Sequence, residues 1–122
     1  MKTYNFEQLH LWQLAHEFVL EVYSLSKSFP KEELFGITSQ LKRAAMSIPA
    51  NIAEGYRKTG AKDKLRFYNI AYGSAGECRY YIFLIKDLEY IKIETFQTLI
   101  NKIDSISKLL NAYSNGIIKN TT

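Results

Sequence analysis

Five cations within ten residues dominate the chemistry open to this sequence. Arg57, Lys58, Lys62, Lys64 and Arg66 fall in the segment RKTGAKDKLR beside a single acid, Asp63. The whole chain carries 16 basic and 12 acidic residues, a formal charge of +4, so this segment holds the entire excess. Clustered Lys and Arg, with only Tyr56 and Phe67 as neighbouring rings, point to phosphate oxygens and not to base edges. The expected ligand is RNA or DNA, bound electrostatically with little sequence preference. A solvated basic turn without a partner is the competing reading of the same residues.

Other reactive constellations fail on spacing. Gly55 to Lys62, GYRKTGAK, has the outline of a phosphate-binding loop, but Ala61 separates Gly60 from the lysine, no Ser or Thr follows, and no strand pattern precedes it. His10 and His16 fall on different faces of a helix, and neither belongs to an HExxH or Cys–His ligand set, so no metal site is expected. No serine sits in GxSxG. Glu54 and Glu77 could form an acid–base pair, but structural ion pairing with Arg43 or Arg79 is the reading taken for them. The expectation is therefore no catalytic residue, no cofactor and no small-molecule substrate.

The elements that must position the cations are helical. Hydrophobic content is 47% and charged content 23%, with six glycines and two prolines, the composition of an ordinary globular chain. Apolar residues recur at three- and four-residue steps and no stretch sustains a period of two. A first helix is expected over about Gln8 to Ser28, on Leu11, Leu14, Ala15, Phe18, Val22 and Leu25, ended by Phe29-Pro30. A second runs from Glu32 or Thr38 to Lys58 and is closed by Thr59-Gly60. A third covers Asp63 to Leu88. A fourth covers Glu94 to Tyr113, on Ile100, Ile103, Ile106, Leu109, Leu110 and Tyr113, with a frayed tail from about Asn115. Short connections favour an all-α, antiparallel up-down-up-down four-helix bundle that uses the 122 residues as one domain.

Two of these helices carry unusual polar stripes. At about 100° per residue, Gln40, Arg43, Ser47, Asn51 and Glu54 align along the second helix, beside an apolar arc of Leu41, Ala44, Ala45, Ile48 and Ile52. Along the third, Arg66, Asn69, Gly73, Gly76, Glu77 and Tyr80 align beside Phe67, Ile70, Ala71, Cys78, Ile82 and Ile85. Glycine costs about 1 kcal/mol against Ala in a helix interior, so Gly73 and Gly76 imply close approach, and the stripes imply a polar network between helices or subunits that includes Arg79. Pro49 lies inside the second helix. The apolar stripe keeps its phase across it, so a kink and not a stop is expected.

The order of these motifs resembles the four-helix-bundle proteins encoded in intervening sequences of bacterial 23S rRNA genes, a family with relatives among the accessory variability determinant proteins of diversity-generating retroelements. The resemblance rests on Phe6-Glu-Gln-Leu-His-Leu-Trp-Gln-Leu-Ala15, Tyr23, Phe29-Pro30-Lys-Glu-Glu33, Phe35 through Ala45, Ser47-Ile-Pro-Ala-Asn-Ile-Ala-Glu-Gly55 and Phe67 through Glu77, within a span from about Tyr4 to Tyr113. It implies an antiparallel four-helix fold and a ring-like homopentamer. No catalytic residues come with it. Its association with RNA is through gene location and charge.

Together these features predict a non-enzymatic, oligomeric nucleic-acid binder. The alternative is a protein-binding adaptor for a nucleic-acid enzyme such as a reverse transcriptase, which would draw on an aromatic content of seven Phe, nine Tyr and one Trp. Glu7 and His10 stand where a signal peptide needs its apolar stretch, and no run is long enough to cross a bilayer. The lone Cys78, in an apolar helical pattern, fits an inert buried thiol in a reducing cytoplasm.

Overall fold

The structure, a computed structural model, describes residues 5–121; Tyr4, named above, lies outside them. Four helices carry the fold: α1 (His10–Ser26), α2 (Ile37–Arg57), α3 (Ala61–Asp87) and α4 (Ile93–Thr121). Short 3-10 turns stand before α1 (Phe6–Gln8) and before α2 (Lys31–Glu33). Helix α1 packs on α2, α2 on α3, α3 on α4 and α4 back on α1, forming a four-helix bundle with no strand among the described residues.

Each boundary has a local cause. Helix α1 tightens into i→i−3 bonds at Ser28 and Phe29, because Pro30 (φ −56°, ψ 141°) cannot continue it. The acids Glu32 and Glu33 belong to the separate turn, and α2 begins only after Gly36, later than the earliest start the sequence allows. Helix α3 ends in a Schellman motif, in which Tyr90 N–H reaches Ile85 O and Glu89 N–H reaches Lys86 O, both at 2.9 Å. Glu89 occupies the left-handed position (φ 62°) where glycine is usual. The Tyr90 hydroxyl then donates to Glu33 at 2.7 Å and its ring packs on Phe29, tying the α3–α4 turn to the turn before α2.

The core is the set of stripes the helical period demands. Leu11, Phe18 and Val22 of α1, Leu41, Ile48 and Ile52 of α2, Ile82 and Ile85 of α3, and Leu99, Ile103, Ile106 and Leu110 of α4 are all fully enclosed. Two expectations need correction. On α3, Ile70 is 43% exposed while Tyr68 is buried. The inward line runs Tyr68, Ala71, Ala75, Cys78, Ile82, Ile85, which leaves Ile70 on the outer side. Helix α4 does not end at Tyr113; it continues to Thr121 because Ile117 extends the Leu110–Tyr113 stripe and packs against the core. Pro49 is buried within α2, and the helix continues through it to Arg57.

Candidate nucleic-acid interface

The corner between α2 and α3 is built around a close approach. A Cβ on Gly55 would lie 2.6 Å from Cε1 of Tyr68 and 3.3 Å from the carbonyl of Lys64, so only glycine lets the two helices meet here. Burial, with the Tyr113 and Tyr56 hydroxyls nearby, pushes the Tyr68 phenol up to about 12. Just beyond, Lys64 turns inward: its ammonium donates to the carbonyls of Gly55 (3.2 Å) and Tyr56 (2.9 Å). Both carbonyls lie in the last turn of α2, where Gly55 O also accepts from Lys58 N–H at 3.2 Å, and a cation suits this end of the helix on both hydrogen-bonding and dipole grounds. Burial holds the Lys64 pKa below that of an ordinary lysine.

The other four cations of the segment face outward. Arg66 and Lys58 flank one ring, Phe67, at 4.4 and 5.3 Å from its centroid. Each also has a loose carboxylate on its own helix, Asp63 at 3.9 Å and Glu54 at 4.0 Å. Such exposed pairs contribute between zero and about 1 kcal/mol. Arg57 lies over the Phe6 ring at 5.5 Å. Lys62 is exposed and has no carboxylate partner among the described residues. The predicted five-residue phosphate surface is therefore four outward cations and one, Lys64, committed to capping α2. Beside Arg57 a cavity of about 410 Å³ opens between Asn5, Phe6, Glu7, Tyr56 and Arg57.

The predicted polar network divides. Ser47 and Asn51 do meet: the Asn51 amide donates to Ser47 O (2.8 Å) and Oγ (3.0 Å), and Ser74 of α3 donates to the same Oγ at 2.8 Å. Ser74 is buried, and the polar stripes of the sequence do not include it. Its place on the inward line of α3 is the signal that could have found it. Glu54 pairs with Lys58, not with Arg43 or Arg79. Arg79 instead holds Asp104 of α4 at 2.8 Å, and Glu77 accepts from Tyr81 at 3.2 Å. Gln40 and Arg43 stand on the surface. Nothing in the chain comes within 4 Å of a Cβ at Gly73 or Gly76, so the close approach expected there does not occur inside the bundle. Cys78 is enclosed and its thiol is pushed up to about 12 by burial, with the Glu77 carboxylate adding to the shift. Among the described residues, no group of three or more His, Cys, Asp and Glu is placed to hold a metal, and no helix is long and apolar enough to cross a membrane.

A family model described as the 23S rRNA-intervening sequence protein matches residues 7–112. The chain belongs to this family. The matched span takes in all of α1, α2 and α3, and with them the basic corner. A crystal structure of a protein with unknown function from the S23 ribosomal protein family of Bacteroides thetaiotaomicron VPI-5482 is similar to it, with a TM-score of 0.80 and 29% sequence identity. That similarity covers 86% of this chain and 95% of the other. No curated protein matches the chain.

Proposed function

We propose that this family member is a non-enzymatic, cytoplasmic scaffold that binds nucleic acid, RNA foremost, through Arg57, Lys58, Lys62 and Arg66. One observation carries the reading: four outward cations share a corner that Lys64 and the Gly55–Tyr68 contact hold in place. The corner's backbone is held, so phosphate binding has to order side chains and not the loop. The family's name, with its 23S rRNA intervening sequence, supports RNA over DNA. Changing the four residues to Gln should weaken binding to mixed-sequence RNAs alike and lower the slope of log affinity against log salt by roughly 0.7–0.9 for each phosphate no longer neutralised. An unchanged slope in a folded variant refutes the assignment.

The scaffold is a closed homo-oligomer, a pentamer on the family resemblance. A cyclic assembly joins two different faces of each copy. Two faces offer themselves: the outer side of α3, where Ile70, Tyr72 and Tyr80 stand exposed around Gly73 and Gly76, and the apolar groove of Trp12, His16, Val19, Met46 and Pro49 between α1 and α2. Light scattering across a dilution series reads the stoichiometry, and a monomer at micromolar concentration overturns it. A second reading, an adaptor for a nucleic-acid enzyme such as a reverse transcriptase, is favoured by Phe35, which is 91% exposed beside the exposed Leu34. Loss of partner capture in Phe35→Ser with RNA binding intact would favour the adaptor.

A further inference from the structure

The cavity beside Arg57, itself one of the outward cations, is walled by an aromatic ring and a carboxylate as well as by that cation. It opens between the turn Phe6–Gln8 and the end of α2. Its volume, about 410 Å³, falls within the ~300–1,000 Å³ typical of small-ligand sites. Phe6 supplies an aromatic surface, backed edge-on by Trp12 at 5.2 Å, with the Arg57 guanidinium 5.5 Å from its centroid. Glu7 and Asn5 supply the polar rim. The turn that carries them is held by Gln8 N–H to Asn5 O (3.0 Å), Leu9 N–H to Phe6 O (2.9 Å) and the Gln13 amide to Glu7 O (2.9 Å), so the walls are pre-organised. A carboxylate in the wall repels phosphate, whereas it accepts hydrogen bonds from a base edge.

We propose that this cavity takes one unpaired guanine of a single strand whose phosphates lie on the outward cations, a step that rests on the nucleic-acid reading above. Stacking on Phe6 is tolerant of any base. Selection falls to Glu7. Guanine offers two parallel donors, N1–H and the exocyclic amine, which match the two oxygens of a carboxylate. Uracil offers one N–H flanked by two carbonyl oxygens, which the carboxylate repels. A paired guanine has both donors occupied and is stacked in its helix, so duplexes are excluded from the cavity.

The test compares labelled twelve-nucleotide strands by fluorescence anisotropy: all-uridine, all-uridine with one central guanosine, and a hairpin that pairs that guanosine. The single unpaired guanosine should tighten binding about tenfold, since a bidentate pair discriminates by roughly that much or more, and pairing it should abolish the gain. Glu7→Gln should erase the difference between the two strands, while all-uridine binding holds or tightens, since a carboxylate that repels phosphate and the uracil oxygens is gone. Phe6→Leu should weaken both strands. GMP should displace the guanosine strand only down to the all-uridine level, and displacement of all binding by GMP would make the ligand a free nucleotide and overturn the strand assignment. If all-uridine binds and the guanosine adds nothing, or Glu7→Gln keeps the gain, the base site is wrong and the phosphate surface stands. If neither strand binds, both readings fall.

Discussion

Lys64 bonds to backbone carbonyls where the outward cations of the same segment do not, and Lys64→Met isolates that difference. The substitution keeps most of the apolar stem and removes the two hydrogen bonds to Gly55 O and Tyr56 O, at 3.2 and 2.9 Å. Charged hydrogen bonds contribute about 1.5–3 kcal/mol each when well enclosed. Lys64 is only partly buried, and water can reach the freed carbonyls, so the pair is discounted to about 1–2 kcal/mol. For a chain of 122 residues that corresponds to a fall in Tm of roughly 4–8 °C. Lys62→Met removes the same charge from a neighbouring site that holds no carbonyls, and its effect should stay within about 0.5 kcal/mol. Thermal unfolding followed by circular dichroism compares the two variants directly, and RNA affinity at one salt concentration completes the comparison. Lys62→Met should weaken RNA binding without altering Tm. If Lys64→Met leaves Tm unchanged and lowers RNA affinity as Lys62→Met does, then its ammonium serves phosphate and the capping argument is refuted.

Gly55→Ala should destabilise by about 1–2 kcal/mol in urea titration, because displacing the enclosed Tyr68 ring costs more than the gain in helix propensity returns; a more stable variant would mean the corner can open freely. Glu89→Gly should stabilise by about 1 kcal/mol in the same assay, since it relieves the left-handed backbone at φ 62°. Pro49→Ala restores a donor for Ala45 O and should raise Tm slightly, while altering a groove residue and weakening assembly by light scattering; equal assembly would remove Pro49 from the interface. Stability should fall as pH rises from about 9 towards about 12. In that window the unfolded chain ionises Cys78 (ordinary value 9.0) and Tyr68 (10.0), while the folded chain holds both protonated to about 12. Tyr68→Phe should flatten the upper part of that decline.

How far the sequence foretells the structure depends on what each residue has to reveal. Helix number and order are legible because apolar spacing, Pro30 and Gly60 act locally. The basic corner is legible because charge density needs no geometry. Lys64 is grouped with the outward cations because composition cannot tell which of five neighbouring cations turns back towards carbonyls; its place one turn beyond a short connection is the only hint. Glycines mislead in an instructive way. Gly73 and Gly76 stand out as costly residues on a polar stripe, yet the close approach occurs at Gly55, which continues the buried line Ile48, Ile52, Gly55 in helical phase. A glycine on the core stripe reports helix contact within the chain. One on an outer stripe leaves a surface that only something else can fill. The shift from Ile70 to Tyr68 has a related cause: α3 has apolar side chains around much of its circumference, so its inward face is decided by partners and not by its own pattern.

The corner also explains why its ion pairs cannot be the reason for its charges. Lys58 and Arg66 flank Phe67 from different helices, and two like charges on one ring repel. The ring's negative faces offset part of that repulsion, at about 0.5–1 kcal/mol for an exposed cation, and Glu54 and Asp63 offset a little more from about 4 Å. None of these terms requires both cations to be present. A neutral residue at either position would remove the repulsion outright and leave the core untouched. A phosphate between them reverses the sign of the problem, since it attracts both cations at once and displaces carboxylates that hold them only weakly. On the proposed RNA reading such a contact is blind to sequence, so a preference among RNAs would have to arise elsewhere on the same surface, and the Glu7 wall of the adjoining cavity is the place the proposed base site assigns to it.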